Sequence, residues 1–353
     1  MNGVTNPYSD LPKSAFWRSG VTQENPYTVE GIYKKKFIIS PGDKIATAGS
    51  CFAQHISSRL KKNGYNVLDL EPPPPGLSES LHQKFGYSMY SARYGNIYTM
   101  RQLLQLSKEV AGDWLPQNFV WRKDNRFYDA LRPAVEPEGL DSAEEVVRHR
   151  QHHIARVRRL FETLDIFIFT LGLTEMWVHK SSGTVYPTAP GVLAGDFDKS
   201  IYKFKNAGFL SVLNDFKLFQ KSLKKIRNGK PFKVLLTVSP VPLIATASGA
   251  HVLASTIYSK SILRSVAGQL ATNKSDVDYF PAYEIVTNPR MHSSAFSDNL
   301  RSVREEVVVM VMKHFFAEHP PCKKSKKNLK ARKSKRVNEH IQCEEALLEA
   351  FAK

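Results

Sequence analysis

Apolar residues along this chain form short continuous runs, and the runs are separated by longer stretches with helical spacing. The clearest runs, residues 166–171 (IFIFTL) and 232–238 (FKVLLTV), are typical of parallel strands that are covered on both faces. Residues 52–63 instead place Phe52 and Ile56 on one face of a helix. The pattern predicts strands and helices that alternate along the chain.

Turn and capping residues set the bounds of further elements. Two short strands, at residues 44–48 and 67–70, are predicted to flank the first helix, giving a βαβ unit. Thr99 with Gln102 predicts a capping box at the start of a helix. The remaining predicted elements are a helix from Asp141 or Ser142 to about Thr163, a helix over residues 255–271, a strand over 277–280, a helix over 303–316, and one or two helical turns over 344–351.

These alternating elements predict an α/β fold, a three-layer α/β/α sandwich with a mostly parallel, flavodoxin-like sheet. We expect an irregular N-terminal arm at residues 1–40 and a single α/β domain at residues 41–318. A loop-rich insertion at about residues 71–140 begins with a proline run that neither helix nor sheet accepts. Residues 319–353 are expected to form a basic, disordered tail.

The formal net charge of +17 is concentrated in that tail, because residues 323–336 (KKSKKNLKARKSKR) contain nine positive charges and no acid. A solvated tail is the simpler interpretation. The alternative is that the tail binds a weak anionic partner, such as nucleic acid, an anionic glycan or a membrane surface. No segment has the length of a transmembrane helix or the pattern of a signal peptide, so we expect a cytoplasmic location. The three cysteines suggest neither a disulfide framework nor a metal site, and no phosphate-binding loop is present, so no cofactor is expected.

Gly49, Ser50 and Cys51 lie where the first predicted strand meets the first helix. This is where an open α/β sheet binds ligands, and free N–H groups at a helix N-terminus favour developing negative charge there. Ser50 is therefore a candidate nucleophile, with Cys51 as a rival. An ordinary helix cap would explain the same serine.

The residues in this region and beyond resemble the GSCFA family. The resemblance starts at Gly49-Ser50-Cys51-Phe52-Ala53 and covers roughly residues 30–316. It continues in order at residues 94–99 (YGNIYT), 127–133 (FYDALRP), 170–177 (TLGLTEMW), 186–191 (YPTAPG), 237–243 (TVSPVPL), 258–264 (YSKSILR) and 279–285 (YFPAYEI).

The family is similar to the SGNH hydrolases, which implies a serine nucleophile and an oxyanion hole built from three sequence blocks. By this resemblance Ser50 is the nucleophile and Gly95 the glycine of the second block, with Asn96 beside it. The third block falls on Gly172, Leu173, Thr174 and Glu175, where Thr174 replaces the expected asparagine. A threonine hydroxyl can also donate a hydrogen bond.

The last block departs from the pattern in the residue that should supply the base. Related proteins carry Asp-x-x-His, whereas this chain reads Asp298-Asn299-Leu300-Arg301. Asp298 keeps the acidic position, but arginine cannot accept a proton from serine. Arg301 can instead bind an anion. His251 and His292, in loops near predicted strand ends, are the candidates for a substitute base.

Two acids and three aromatic residues complete the candidate set. Glu175 and Glu284 are predicted near strand ends and either could orient a histidine or pair with Arg301, although an ordinary salt bridge explains them equally. Three aromatic residues could line a sugar-binding cleft or belong to the core: Trp177, Tyr186 and Tyr94.

Two functions follow as hypotheses. The first is an SGNH-like serine esterase or acyl transferase acting on an acylated carbohydrate or related ester, a substrate class that the resemblance alone implies. The second is a catalytically weak or inactive ligand-binding protein on the same fold, in which Arg301 binds an anionic group.

Overall fold

The computed structural model describes residues 6–321 and 344–352, apart from the side chains of residues 292–293 and 344–346. The strands are β1 (Ile45–Gly49), β2 (Val120–Lys123), β3 (Arg126–Asp129), β4 (Ile166–Leu171), β5 (Glu175–His179), β6 (Val185–Tyr186), β7 (Tyr202–Asn206), β8 (Lys233–Val238) and β9 (Val277–Tyr279). The α-helices are α1 (Phe52–Lys62), α2 (Glu79–His82), α3 (Met100–Ala111), α4 (Ala143–Thr163), α5 (Phe209–Ile226), α6 (Val252–Asn273), α7 (Ala282–Val286) and α8 (Glu305–Glu318). Short 3-10 helices occur at Lys13–Ala15, His292–Ala295 and Glu344–Phe351, and a π-helix at Arg18–Thr22.

Strands β1, β4, β8 and β9 form a parallel sheet in the order β1-β4-β8-β9. Side chains alternate between its two faces, so Phe167 and Phe169 pack with α3, α4, α5 and α6, whereas Ile166 and Ile168 pack with α1, α7 and α8. Helices therefore cover both faces, and the predicted three-layer α/β/α sandwich is confirmed.

The predicted capping residues explain where several helices begin. Thr99 and Gln102 form the complete capping box of α3. Ser142, rather than Asp141, caps α4 by accepting the N–H of Glu145. Helix α6 begins three residues before its predicted start because His251 caps it.

The predicted strand at residues 67–70 is wrong. Only one bridge, between Ile45 and Val67, is parallel to β1, and the chain then runs into the proline segment, which cannot continue a ladder. Irregular chain seals the rest of the outer edge of β1: Asn66 accepts the N–H of Ile45, and Ser91 Oγ accepts the N–H of Thr47.

The structure also contains two smaller antiparallel sheets that the sequence pattern did not predict, the hairpin β2-β3 and the sheet β6-β5-β7. A small apolar cluster that includes Trp121, Tyr186 and Tyr202 joins them. The Trp121 and Tyr186 ring centroids are 5.0 Å apart, so the buried Tyr186 is a packing residue between these sheets.

A buried ionic network connects α4 to the insertion beneath it. Arg150 bonds to both oxygens of Glu109 and lies 3.2 Å from an oxygen of Asp129. One turn later, His153 Nδ1 lies 2.7 Å from Glu71. Burial lowers the pKa of His153 to about 4, although Glu71 opposes that shift. Burial alone would raise the pKa of Glu71, but His153 and neighbouring donors lower it to about 2.

The basic run at residues 323–336 lies outside the described residues, so its predicted disorder stays a prediction. The predicted helical turns at residues 344–351 occur as a 3-10 helix. Across the described ranges, no helix is both long enough and apolar enough to cross a membrane.

Candidate active site

The turn between β1 and α1 gives Ser50 its position. Gly49 has φ +141°, and a Cβ atom there would lie 2.5 Å from the carbonyl oxygen of Thr170 on the neighbouring strand. Only glycine fits both this conformation and this close approach. The Ser50 N–H then donates to the same carbonyl, at 3.2 Å, and its own carbonyl accepts the N–H of Ala53. Strand β4 and helix α1 therefore both hold the Ser50 backbone.

The Ser50 hydroxyl is buried and uncommitted. Its residue is 3% exposed, and Oγ makes no hydrogen bond within the described structure. It lies beside the N-terminus of α1, whose dipole favours an anion. Cys51, the rival nucleophile, is the N-cap residue and is also buried. Seven other buried hydroxyls among the described residues also lack a partner, so what distinguishes Ser50 is its place at the end of β1, beside a helix N-terminus.

The second block reaches Ser50 through a buried hydrogen-bond network. Gly95 has φ +66° and directs the chain so that the Ile97 N–H donates to the Gly49 carbonyl at 2.9 Å. Asn96 is 2% exposed, and its Oδ1 lies 2.5 Å from the Tyr90 hydroxyl. That same hydroxyl lies 3.1 Å from the Ser50 carbonyl. Gly95 and Asn96 thus belong to the loop that contacts the Ser50 turn.

The third block packs directly on Ser50. A Cβ atom at Gly172 would lie 2.8 Å from Ser50 Cβ and 3.0 Å from the Tyr98 carbonyl oxygen, so the site requires glycine. The Gly172 N–H already donates to that carbonyl. Thr174 is fully buried, and its hydroxyl makes no hydrogen bond in the described structure. This hydroxyl is free to serve as a donor, as its position in the block suggests.

Sequence reasoning missed two residues of α6 that hold the third block. Ser259 Oγ accepts the Thr174 N–H at 3.0 Å, and the buried Lys260 donates from Nζ to the Gly172 carbonyl at 2.8 Å. Both stand on the face of α6 that carries Leu263 into the core. The sequence did contain a signal for this role, because Lys260 falls on the apolar face of the predicted helix, and core positions rarely hold a lysine without a partner.

The predicted base, His251, has a different contact. Its ring is exposed, and Nδ1 accepts the Leu253 N–H at 3.1 Å as the cap of α6. No described hydrogen bond joins it to Ser50. The other candidate, His292, begins a 3-10 helix, but its side chain is outside the described structure.

The hydrogen bonds and ion pairs described for the last block do not involve the Ser50 hydroxyl. Arg301 is partly buried and its Nε donates to the Pro242 carbonyl at 3.3 Å, just beyond the end of β8. Asp298 is fully exposed and lies 3.9 Å from Arg304. Among the described side chains, Arg304 is the ionic neighbour of this carboxylate.

The two candidate acids have structural partners. Glu175 accepts a hydrogen bond of 2.8 Å from the Thr246 hydroxyl, and burial raises the pKa of its carboxyl group. Glu284 pairs with Arg264 and accepts the Tyr279 hydroxyl at 2.8 Å. Within the described residues, no group of three or more histidine, cysteine or acidic side chains is arranged to hold a metal ion.

Two of the aromatic residues that could line a cleft are buried in other contacts. The Tyr94 hydroxyl donates to the Thr47 carbonyl of β1, and Tyr186 lies in the cluster described above. Trp177 is partly exposed and packs edge-on against Phe197, with ring centroids 5.2 Å apart.

The model of the GSCFA family matches residues 44–315, a range that contains the Ser50 turn, both glycine blocks and the Arg301 segment. No curated protein and no solved structure matches the chain. Since the matched range is well over half of the 353 residues, the chain belongs to the GSCFA family.

Proposed function

We propose that this protein is a serine-dependent esterase or acyl transferase that acts on an acylated carbohydrate or a related ester. The observation that carries the proposal is the position of Ser50, whose unpaired hydroxyl lies at the carboxyl end of the central sheet, beside a helix N-terminus and against Gly172 of the third block. The carbohydrate part rests on the resemblance to SGNH hydrolases.

In the proposed reaction, Ser50 Oγ attacks the ester carbonyl carbon and gives its proton to a base. The tetrahedral oxyanion is stabilised by N–H groups at the start of α1 and by the Thr174 hydroxyl. The C–O bond of the ester then breaks, and the sugar leaves as an alcohol after taking up a proton. Water or a second hydroxyl finally cleaves the acyl-serine, giving hydrolysis or transfer.

The candidate base of this mechanism is His251, the N-cap residue of α6. His251 can serve only if it gives up its capping contact with Leu253 and turns toward Ser50. Hydrogen bonds of catalytic groups often form only in the substrate complex, so the present contact does not remove it as a candidate.

A second function, ligand binding without turnover, is favoured by one observation. Arg301 stands where related proteins have a histidine, and it holds the segment after β8 through the Pro242 carbonyl. On this hypothesis a carboxylate or phosphate of the ligand pairs with Arg301.

Hydrolysis of p-nitrophenyl acetate and covalent labelling by a fluorophosphonate test the first function. Wild type should turn over and label, and Ser50→Ala should lose both. Ser57→Ala is the matched control, since Ser57 is also buried on α1 without a hydroxyl partner and should behave as wild type.

The base is tested by His251→Asn and His251→Ala. Asparagine keeps the helix cap but cannot act as the base, so loss of activity in both variants identifies the base, whereas loss in His251→Ala alone identifies only a cap. A wild type that neither turns over nor labels, yet is stabilised by small carboxylates in an Arg301-dependent manner, would replace the enzyme with the binding function.

A further inference from the structure

A large basic cavity lies between α4 and the proline segment. Its volume is about 530 Å³, which is within the range of small-molecule sites. Arginines from three parts of the chain line it: Arg93, Arg132, and Arg148 with Arg156 of α4. Glu71 is the single acid in its lining, so the cavity has an excess of three positive charges before its histidines are counted.

Two of these arginines are already neutralised by acids outside the lining. Arg93 pairs with Glu136 at 2.7 Å, and Arg132 pairs with Asp129 at 2.7 Å. The Glu71 carboxylate is likewise engaged, by His153 and by the Arg93 N–H. These groups form a fixed floor and contribute little net charge to a ligand.

Arg148 and Arg156 are the exception. Neither forms an ion pair with an acid in the described part of the chain, and both residues are exposed. They stand eight residues apart with His152 midway, so all three lie on one face of α4. The Nε atom of Arg156 lies 3.3 Å from the His152 ring. This face presents two uncompensated guanidinium groups to the cavity.

The opposite wall is apolar and rigid. Residues 72–75 are four consecutive prolines, which have no N–H to donate and a fixed φ. The Tyr87 ring completes this wall, with the Arg93 guanidinium 3.9 Å from its centroid. A ligand here would meet a stiff apolar surface on one side and cationic donors on the other.

We propose that this cavity binds a small molecule with a tetrahedral oxyanion, a phosphate or sulfate group carried on a sugar-sized body. Arg148 and Arg156 bind the oxyanion by charge-assisted hydrogen bonds, which suit the planar guanidinium. The body of the ligand packs on the prolines and Tyr87. The site is independent of Ser50, and the proposal does not rest on the proposed enzyme activity.

Isothermal titration calorimetry with glucose 6-phosphate, glucose 6-sulfate, inorganic phosphate and glucose tests the site. The variant is Arg148→Gln/Arg156→Gln in the full chain. The control is Arg159→Gln/Lys221→Gln, which removes the same two charges from exposed positions that do not line the cavity.

Glucose 6-phosphate or its sulfate should bind wild type and control alike, and the cavity variant should bind about tenfold or more weakly. Glucose alone should not bind. If inorganic phosphate binds as tightly as the sugar phosphate, the ligand is the free oxyanion. Equal affinity in the cavity variant and the control would place the anion elsewhere on this basic chain and overturn the proposal, as would the absence of binding by all four probes.

Discussion

The Nζ atom of Lys260 donates a hydrogen bond of 2.8 Å to the carbonyl oxygen of Gly172, the residue that packs against Ser50. Its neighbour Ser259 accepts the N–H of Thr174. Helix α6 therefore fixes the third block from behind, although neither residue is hydrogen-bonded to Ser50 in the described structure.

Replacing Ser259 with alanine should destabilise the third block, because the buried Thr174 N–H loses its acceptor. An unsatisfied buried donor costs about 1–3 kcal/mol in the free energy of unfolding, which denaturant titration measures. Ser261→Ala is the control on the same helix, since Ser261 is exposed and should change stability by less than about 0.5 kcal/mol. Equal effects of the two substitutions would contradict the role given to Ser259.

Gly172→Ala should displace Ser50, because the added methyl group would lie 2.8 Å from Ser50 Cβ and 3.0 Å from a backbone oxygen. Overpacking of this kind costs about 1–3 kcal/mol, and the rate of fluorophosphonate labelling should fall with it. The comparison is Gly42→Ala, where no atom lies within 4 Å of the added methyl group. Unchanged labelling in Gly172→Ala would show that the contact is not needed to position the hydroxyl.

Arg150→Met should destabilise the protein strongly, because it leaves the buried carboxylates of Glu109 and Asp129 without their shared partner. Removing one member of a buried ionic group costs about 3–5 kcal/mol. Arg159→Met, on the exposed face of the same helix, should be nearly neutral. Thermal and urea unfolding of the two variants measures the difference, and a loss below 1 kcal/mol for Arg150→Met would rule out a stabilising network.

Stability should fall as the pH drops from about 6.5 to 4, in part because of His153. Its pKa is lowered to about 4 by burial, so in this range the unfolded chain binds a proton that the folded chain does not. Each such group contributes at most about 1.4 kcal/mol per pH unit. Below about 4.5 the lowered pKa of Glu71 acts in the same direction.

The His153→Gln variant isolates that contribution. Its free energy of unfolding should be lower overall but should depend less steeply on pH between 6.5 and 4 than that of wild type. Urea titrations at several pH values measure the slope. Curves that run parallel in this window would show that His153 does not carry the effect.

The central layers of the fold could be predicted because their signals are local. The continuous apolar run of β4 was predicted with its correct bounds, and the capping box of α3 was located at Thr99 and Gln102. The strand at residues 67–70 failed because its apolar residues pack against the core without a ladder partner beyond Val67. The antiparallel sheet of β5, β6 and β7 was missed because β6 is very short and because β7 pairs with β5 across a long irregular stretch of chain.

The candidate site was predictable to a similar extent. The Ser50 turn, Gly95, Asn96 and Gly172 could be found from motifs, and the structure brings them together. Ser259 and Lys260 lie within the matching motif at residues 258–264, but their contacts with the third block could not be predicted, since these depend on which side of α6 faces that block. His251 was chosen for its place in a loop, and only the structure shows that it caps a helix.

The sealed outer edge of β1 has a consequence for how the protein can be shortened or recombined. Asn66, Ser91 and Ile97, all from irregular chain, occupy the hydrogen-bonding groups that an edge strand would otherwise offer to another molecule. A truncated form without residues 71–140 would lose Ser91 and Ile97, would expose the part of β1 nearest Ser50, and would invite strand addition by a second copy. The segment 71–140 therefore protects the end of β1 nearest Ser50 from self-association.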